Sequence, residues 1–187
     1  MRRIVLTLLA AWPLIATAAT QTSVDPDTGL TTWETRTQGI EVRLTQITPD
    51  QIRGFYLARG FSPEATERFA RECVFMTVVR NTGEVTLLHR LANWRYVTDG
   101  QPPRPLRGKA AWAYQWKRLG VPESARIAFE WAQLPTAQTY APGDWNQGMT
   151  SYSVPRGGEF DLYFTWQAGG RTHTGKLENV RCANDNP

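Results

Sequence analysis

Cys73-Val74-Phe75-Met76-Thr77-Val78-Val79-Arg80 is the stretch whose reading decides the fold. It is apolar on both alternating faces: Phe75 and Val79 on one, Val74, Met76 and Val78 on the other. A half-exposed strand alternates apolar with polar, whereas a strand covered on both sides reads as a continuous apolar run. The stretch is therefore expected as a strand at the centre of a sheet. It opens on one of only two cysteines; the other, Cys182, lies close to the end of the sequence.

The start of the chain bears on how those cysteines are used. Arg2-Arg3, the apolar run Ile4 to Ile15 and the small-residue triplet Ala16-Thr17-Ala18 match the three parts of a secretory signal. The run is short for a membrane span. Residues 1–19 are expected as a cleaved signal peptide and 20–187 as a single β-sandwich domain, periplasmic or secreted, with no stable membrane span after cleavage. In an oxidising compartment, two cysteines without CxxC spacing favour one structural disulfide, Cys73–Cys182, over a redox pair. The formal net charge of +4 includes Arg2 and Arg3. The remaining basic residues form no run, which argues against nucleic acid as a partner.

Outward from the central strand, Ile40 to Thr45 alternates as a half-buried strand. Asp25-Pro26-Asp27-Thr28-Gly29 has tight-turn composition. Thr48-Pro49-Asp50-Gln51 and Ser62-Pro63-Glu64 open two short helices, the first with a capping box. Arg53, Arg59, Arg68 and Arg71 are expected on their solvated faces. Asn81-Thr82-Gly83 reads as a hairpin loop, with glycine supplying a left-handed residue, and Glu84 to Leu91 as the returning strand. Lys109 to Leu119 reads as a helix. Ala125 to Leu134 fits helix or strand, and its β-branched and aromatic residues tip it to strand. Pro135 to Thr150 reads as a long irregular segment. Phe160 to Trp166 alternates as a strand; a parity slip between Leu177 and Val180 predicts a bulge at Glu178 or Asn179. The sum is a mainly β protein: an antiparallel immunoglobulin-like β-sandwich with a few short α-helices at its edges.

No common catalytic motif is present. With both cysteines bonded, nucleophilic chemistry lacks a thiol. Glu130, Asp144, Glu159 and Asp161 are carboxylates that an acid–base pair would need. The Tyr140 to Met149 segment is the leading candidate contact surface. Asp144, Asn146 and Gln147 surround Trp145 there, beside Tyr140, combining an aromatic face with orienting polar groups. The same composition also suits ordinary turns. Trp112, Trp116, Trp131 and Trp166 are expected in the core. His89, His173 and Met149, with Met76, are the candidate ligands for copper. The leading reading is an exported, non-catalytic binding or assembly-accessory protein with a protein partner in the periplasm. Copper handling and glycan binding or carbohydrate chemistry are the alternatives.

Overall fold

The computed structural model describes residues 19–184, so nearly all of the expected signal peptide at 1–19 lies outside the described residues. The chain begins with β1 (Gln21–Val24), β2 (Thr31–Thr37), β3 (Ile40–Gln46), α1 (Pro49–Leu57), α2 (Pro63–Ala70) and β4 (Cys73–Asn81). β5 (Leu87–Arg90), β6 (Arg95–Val97) and β7 (Arg104–Pro105) lead to α3 (Lys109–Arg118) and α4 (Glu123–Ala132). β8 (Ala137–Tyr140), β9 (Trp145–Tyr152), β10 (Glu159–Ala168) and β11 (Arg171–Arg181) follow. One antiparallel sheet runs β1-β2-β3-β4-β9. The other runs β7-β6-β10-β5-β8, with β11 also paired to β10. The protein is mainly β with two antiparallel sheets and four α-helices. Among the described residues no helix is long and apolar enough to cross a membrane.

β4 is covered on both faces, as its sequence requires. Cys73, Phe75 and Val79 enter a core between the sheets with Trp33, Val42 and Leu44 of the first sheet, Phe164 and Trp166 of the second, and Trp94 from the connection just before β6. Trp33 belongs to β2 and meets Phe75 edge-on at 6.1 Å. On the other face, Val74 and Met76 join a second core with Tyr56, Phe69, Trp112, Trp116 and Phe129 of the helices. The sequence places the helices at the edges of the sandwich; the structure lays them across an outer face. An amphipathic helix buries its stripe where apolar surface remains uncovered, and the even-numbered face of β4 is such a surface. Local signals start the first two helices as read. The Gln51 N–H donates to Thr48 Oγ1 at 3.2 Å, and the Thr48 N–H donates to Gln51 Oε1 at 2.8 Å. Ser62 caps α2 through the Ala65 N–H.

Several readings are corrected. The segment read as a strand from Ala125 to Leu134 is largely helix α4. Ala125 and Phe129, one turn apart, are buried against the other helices, while Ile127 and Trp131 are exposed. Strand-forming composition is overridden when the available partner surface matches a helical stripe. Trp131 thus leaves the core to which its type assigns it and is 85 % exposed. The segment 135–150 is not irregular: it contains β8 and most of β9. Its polar residues occupy strand positions that pair with β4 through the backbone, from Trp145 opposite Arg80 to Tyr152 opposite Cys73.

Asn81-Thr82-Gly83 does not turn a hairpin, because β4 and β5 belong to different sheets. The segment is a crossing held by the Asn81 side chain. Its Nδ2 donates to the carbonyls of Val85 and Tyr140, and its Oδ1 accepts from the Gly83 N–H. Gly83 is required by closeness rather than by a left-handed backbone. A Cβ there would stand 3.1 Å from the Gly39 Cα. The predicted bulge is present: Phe160 pairs Val180 and Leu162 pairs Leu177, leaving one extra residue on β11. Asn179 takes the left-handed position with φ 55°, and its N–H donates to Asp161 Oδ1.

Cys73, the first residue of β4, is bonded to Cys182, just beyond β11, so the disulfide joins the two sheets. The partners are 109 positions apart. Closing so long a loop in the unfolded chain contributes about 4 kcal/mol of stability. Replacing both cysteines by alanine is expected to lower the urea unfolding free energy by about that amount, read by tryptophan fluorescence. Reductant should do the same to the wild-type protein and nothing to the variant.

Candidate functional site

The Tyr140 to Met149 segment is the link by which the chain passes from β8 in one sheet to β9 in the other. Tyr140 is buried beside His89, at 5.6 Å between rings. Burial pushes its hydroxyl up to about 12. Asp144 is consumed by the turn: its Oδ2 accepts from the Ala141 N–H at 2.9 Å, while its own N–H donates to the Ala141 carbonyl. The Asp144 carbonyl accepts from the Asn81 N–H, and the Gly143 N–H donates to the Asn81 carbonyl, so the turn is stitched to the end of β4. Tyr140 and Asp144 hold the scaffold; Trp145, Asn146 and Gln147 reach its surface. Trp145 is 51 % exposed, and Gln147, two residues on, lies on the same side of the strand.

Asn146 and Gln147 line a cavity of about 470 Å³ with Lys109, Glu130, Trp131, Gln133 and Pro135. A second cleft, of about 340 Å³, adjoins it and shares Lys109 and Gln133. The second is mostly aliphatic, with Leu91, Leu106, Leu134 and Met149 in its wall. Between them the end of α4 is tied to β9. The Leu134 N–H donates to the Met149 carbonyl at 3.1 Å, and Gln133 forms a parallel bridge with Met149. Gly148 permits this approach: a Cβ there would lie 2.2 Å from the Leu134 nitrogen. Beneath the bridge, Gln133 Nε2 donates to the Tyr56 hydroxyl, which donates to the Met149 sulfur. Burial raises the pKa of Tyr56 well above the ordinary phenol value. Burial also depresses the Lys109 ammonium, and the charge of Glu130 opposes that shift.

The carboxylates are not gathered into an acid–base pair. Asp144 closes its turn, Glu159 holds Arg181 at 3.2 Å, and Asp161 holds Lys176 at 2.8 Å. Glu130 alone of the four lines the cavity.

The copper candidates are also kept apart. His89 and His173 both stand in register with Trp166, one on either side of it. The Trp166 indole stacks on His173 at 5.3 Å and separates the two imidazoles. His173 Nδ1 lies 2.7 Å from Gln38 Oε1. Met149 and Met76 belong to the helix-side core, across the first sheet. Among the described residues no group of three or more His, Cys, Asp or Glu converges to hold a metal.

Lys109, Trp131 and Gln133 were not legible as site residues. A helical stripe through Ala125 and Phe129 would have left Trp131 outside the core, but only after the segment had been read as helix. No protein-family model matches the chain, and no curated protein or solved structure matches it either. What the geometry defines is an architectural class: two antiparallel sheets joined by a disulfide, with a layer of helices on one of them and a groove along the edge of β9.

Two outcomes follow from this packing. His89 is fully buried, neither ring nitrogen has a hydrogen-bond partner among the described residues, and burial pushes its pKa down to about 4. The unfolded chain protonates near 6.5 and the folded one does not, so stability is complete above that value and falls as pH drops towards 4, by roughly 3 kcal/mol in all. Between pH 6.5 and 5, before most carboxylates titrate, the wild-type unfolding free energy should drop by about 2 kcal/mol, and His89→Leu should flatten that slope. Gly148→Ala should force the Gln133–Leu134 backbone from β9, costing about 2 kcal/mol in denaturant unfolding.

Proposed function

We propose that this is an exported, non-catalytic binding protein that docks an extended segment of a partner protein along the outer edge of β9. Export is supported by the Arg2-Arg3 and apolar-run pattern together with a disulfide, a bond that persists in compartments such as the periplasm. The observation that carries the docking reading is the pair of adjoining clefts on one strand edge, joined at Lys109 and Gln133.

One cleft is polar and rimmed by the exposed indole of Trp131; the other is aliphatic. Successive side chains of a peptide differ in polarity and suit such a divided groove. An oligosaccharide presents hydroxyls along its whole length and is best met by aromatic faces, which the aliphatic cleft does not offer. Trp131 and Trp145 supply the large, rigid contact area that dominates protein recognition, and Gln147, Glu130 and Lys109 supply orienting polar groups.

A periplasmic extract passed over immobilised protein provides the test. Partners held by the wild type and by the distal variant Glu64→Gln should be lost by Trp131→Ala combined with Gln147→Ala. For a purified partner the weakening is expected to be about 30-fold or more. An unchanged set of retained proteins in the double variant would overturn the groove as the contact surface.

A further inference from the structure

Arg68, Arg107, Tyr114, Gln115 and Arg118 line a cavity of about 400 Å³ between α2 and α3; of these, Arg107 also lines the aliphatic cleft beside β9. Ala111, Tyr114, Gln115 and Arg118 fall at i, i+3, i+4 and i+7 on α3 and form one wall. The opposite side of the helix is anchored, because Trp112 and Trp116 are buried in the helical core. Ala111 keeps the floor of the cavity low. Tyr114 is 66 % exposed, and the Arg118 guanidinium lies 5.9 Å from its ring centre.

The three guanidinium groups are not equivalent. Arg107 is held in place: it donates to Glu72 Oε1 at 3.1 Å and to Gln115 Oε1, and its plane lies 3.8 Å from the Trp112 ring centre. Glu72 offsets its charge while leaving further N–H donors unused, since a guanidinium carries five. Arg68 and Arg118 are exposed, and among the described residues neither forms an ion pair. Glu64 stands one turn before Arg68 on α2, at a spacing that commonly pairs, yet Arg68 does not pair with it. Among the described residues no carboxylate lines the cavity. The site therefore holds two uncompensated positive charges and one preorganised fork.

We infer that this cavity is a binding site for a small phosphate monoester, with Arg68, Arg107 and Arg118 on the phosphate oxygens and Tyr114 against the group that the phosphate carries. The charge count selects the ligand class. A phosphate monoester carries close to two negative charges at neutral pH and offers three terminal oxygens, matching the two free cations and the fork. A carboxylate or a sulfate monoester carries one charge and leaves one arginine uncompensated. The volume suits a ligand of monosaccharide or aryl size. The same headgroup could sit on a soluble molecule or on phosphatidic acid in a membrane. The inference does not rest on the partner-docking reading.

Phenyl phosphate and phenyl sulfate, which share a ring and differ in charge, are the probes for calorimetric titration at low ionic strength. Phenyl phosphate should bind at least about 10-fold more tightly than the sulfate. Arg68→Gln and Arg118→Gln should each weaken it about 10-fold and together about 100-fold. Both side chains are exposed, so thermal melts should be unchanged. Vesicles of phosphatidylcholine with and without phosphatidic acid form the second arm. Retention on phosphatidic acid alone, abolished by the same substitutions, would place the monoester on a lipid and keep the site. No binding in either arm, equal binding of phosphate and sulfate, or binding unchanged in the double variant would overturn it.

Discussion

The two faces of β4 must both be kept from water, and different parts of the chain supply the two covers. Apolar burial contributes about 25 cal/mol per Å². A strand carrying Val74, Phe75, Met76, Val78 and Val79 is therefore stable only between two layers. The second sheet and the connection before β6 close over Phe75 and Val79 with Phe164, Trp166 and Trp94. The helices close over Val74 and Met76 with Tyr56, Phe69 and Trp112. The helical layer thus follows from the same demand that builds the sandwich.

Both ends of β4 are fastened across the sheet-to-sheet gap. At Cys73 the tie is the disulfide to Cys182. At Asn81 it is a set of hydrogen bonds to Val85, Tyr140 and Gly83, with Asp144 and Gly143 bonding the Asn81 backbone. The second tie explains why the segment around Trp145 is ordered. Its polar groups are divided between those that close the crossing and those that face outward. Asp144 belongs to the first set; Asn146 and Gln147 belong to the second.

Much of this frame was legible because local chemistry and tertiary demand agreed. The double-sided run at Cys73, the capping box at Thr48 and the parity slip at Glu178 each carry their reason in adjacent residues. The readings that failed depended on what lay opposite. Ile127, Phe129 and Trp131 alternate, and only the presence of Trp112 and Trp116 across the helical core makes Phe129 the buried one. Gly83 looked like a turn residue because sequence cannot show Gly39 lying against it. The candidate site was half legible for the same reason. Asn146 and Gln147 stood out by composition, whereas Lys109, Trp131 and Gln133 come from two other segments brought in by the Gln133–Met149 bridge.

That bridge also decides what kind of surface β9 can offer. As the outermost strand of its sheet, β9 would expose a row of unpaired backbone groups, a template for uncontrolled strand addition. The chain after α4 covers the strand at Met149, where Leu134 takes the carbonyl. Gly148 lets it come close enough to do so. Coverage at one point interrupts any continuous ladder and divides the remaining edge into two clefts of opposite polarity. An incoming segment must then be chosen by its side chains, because the backbone alone no longer has an unbroken edge to pair with. Protection of the edge and selectivity at the edge are consequences of the same contact.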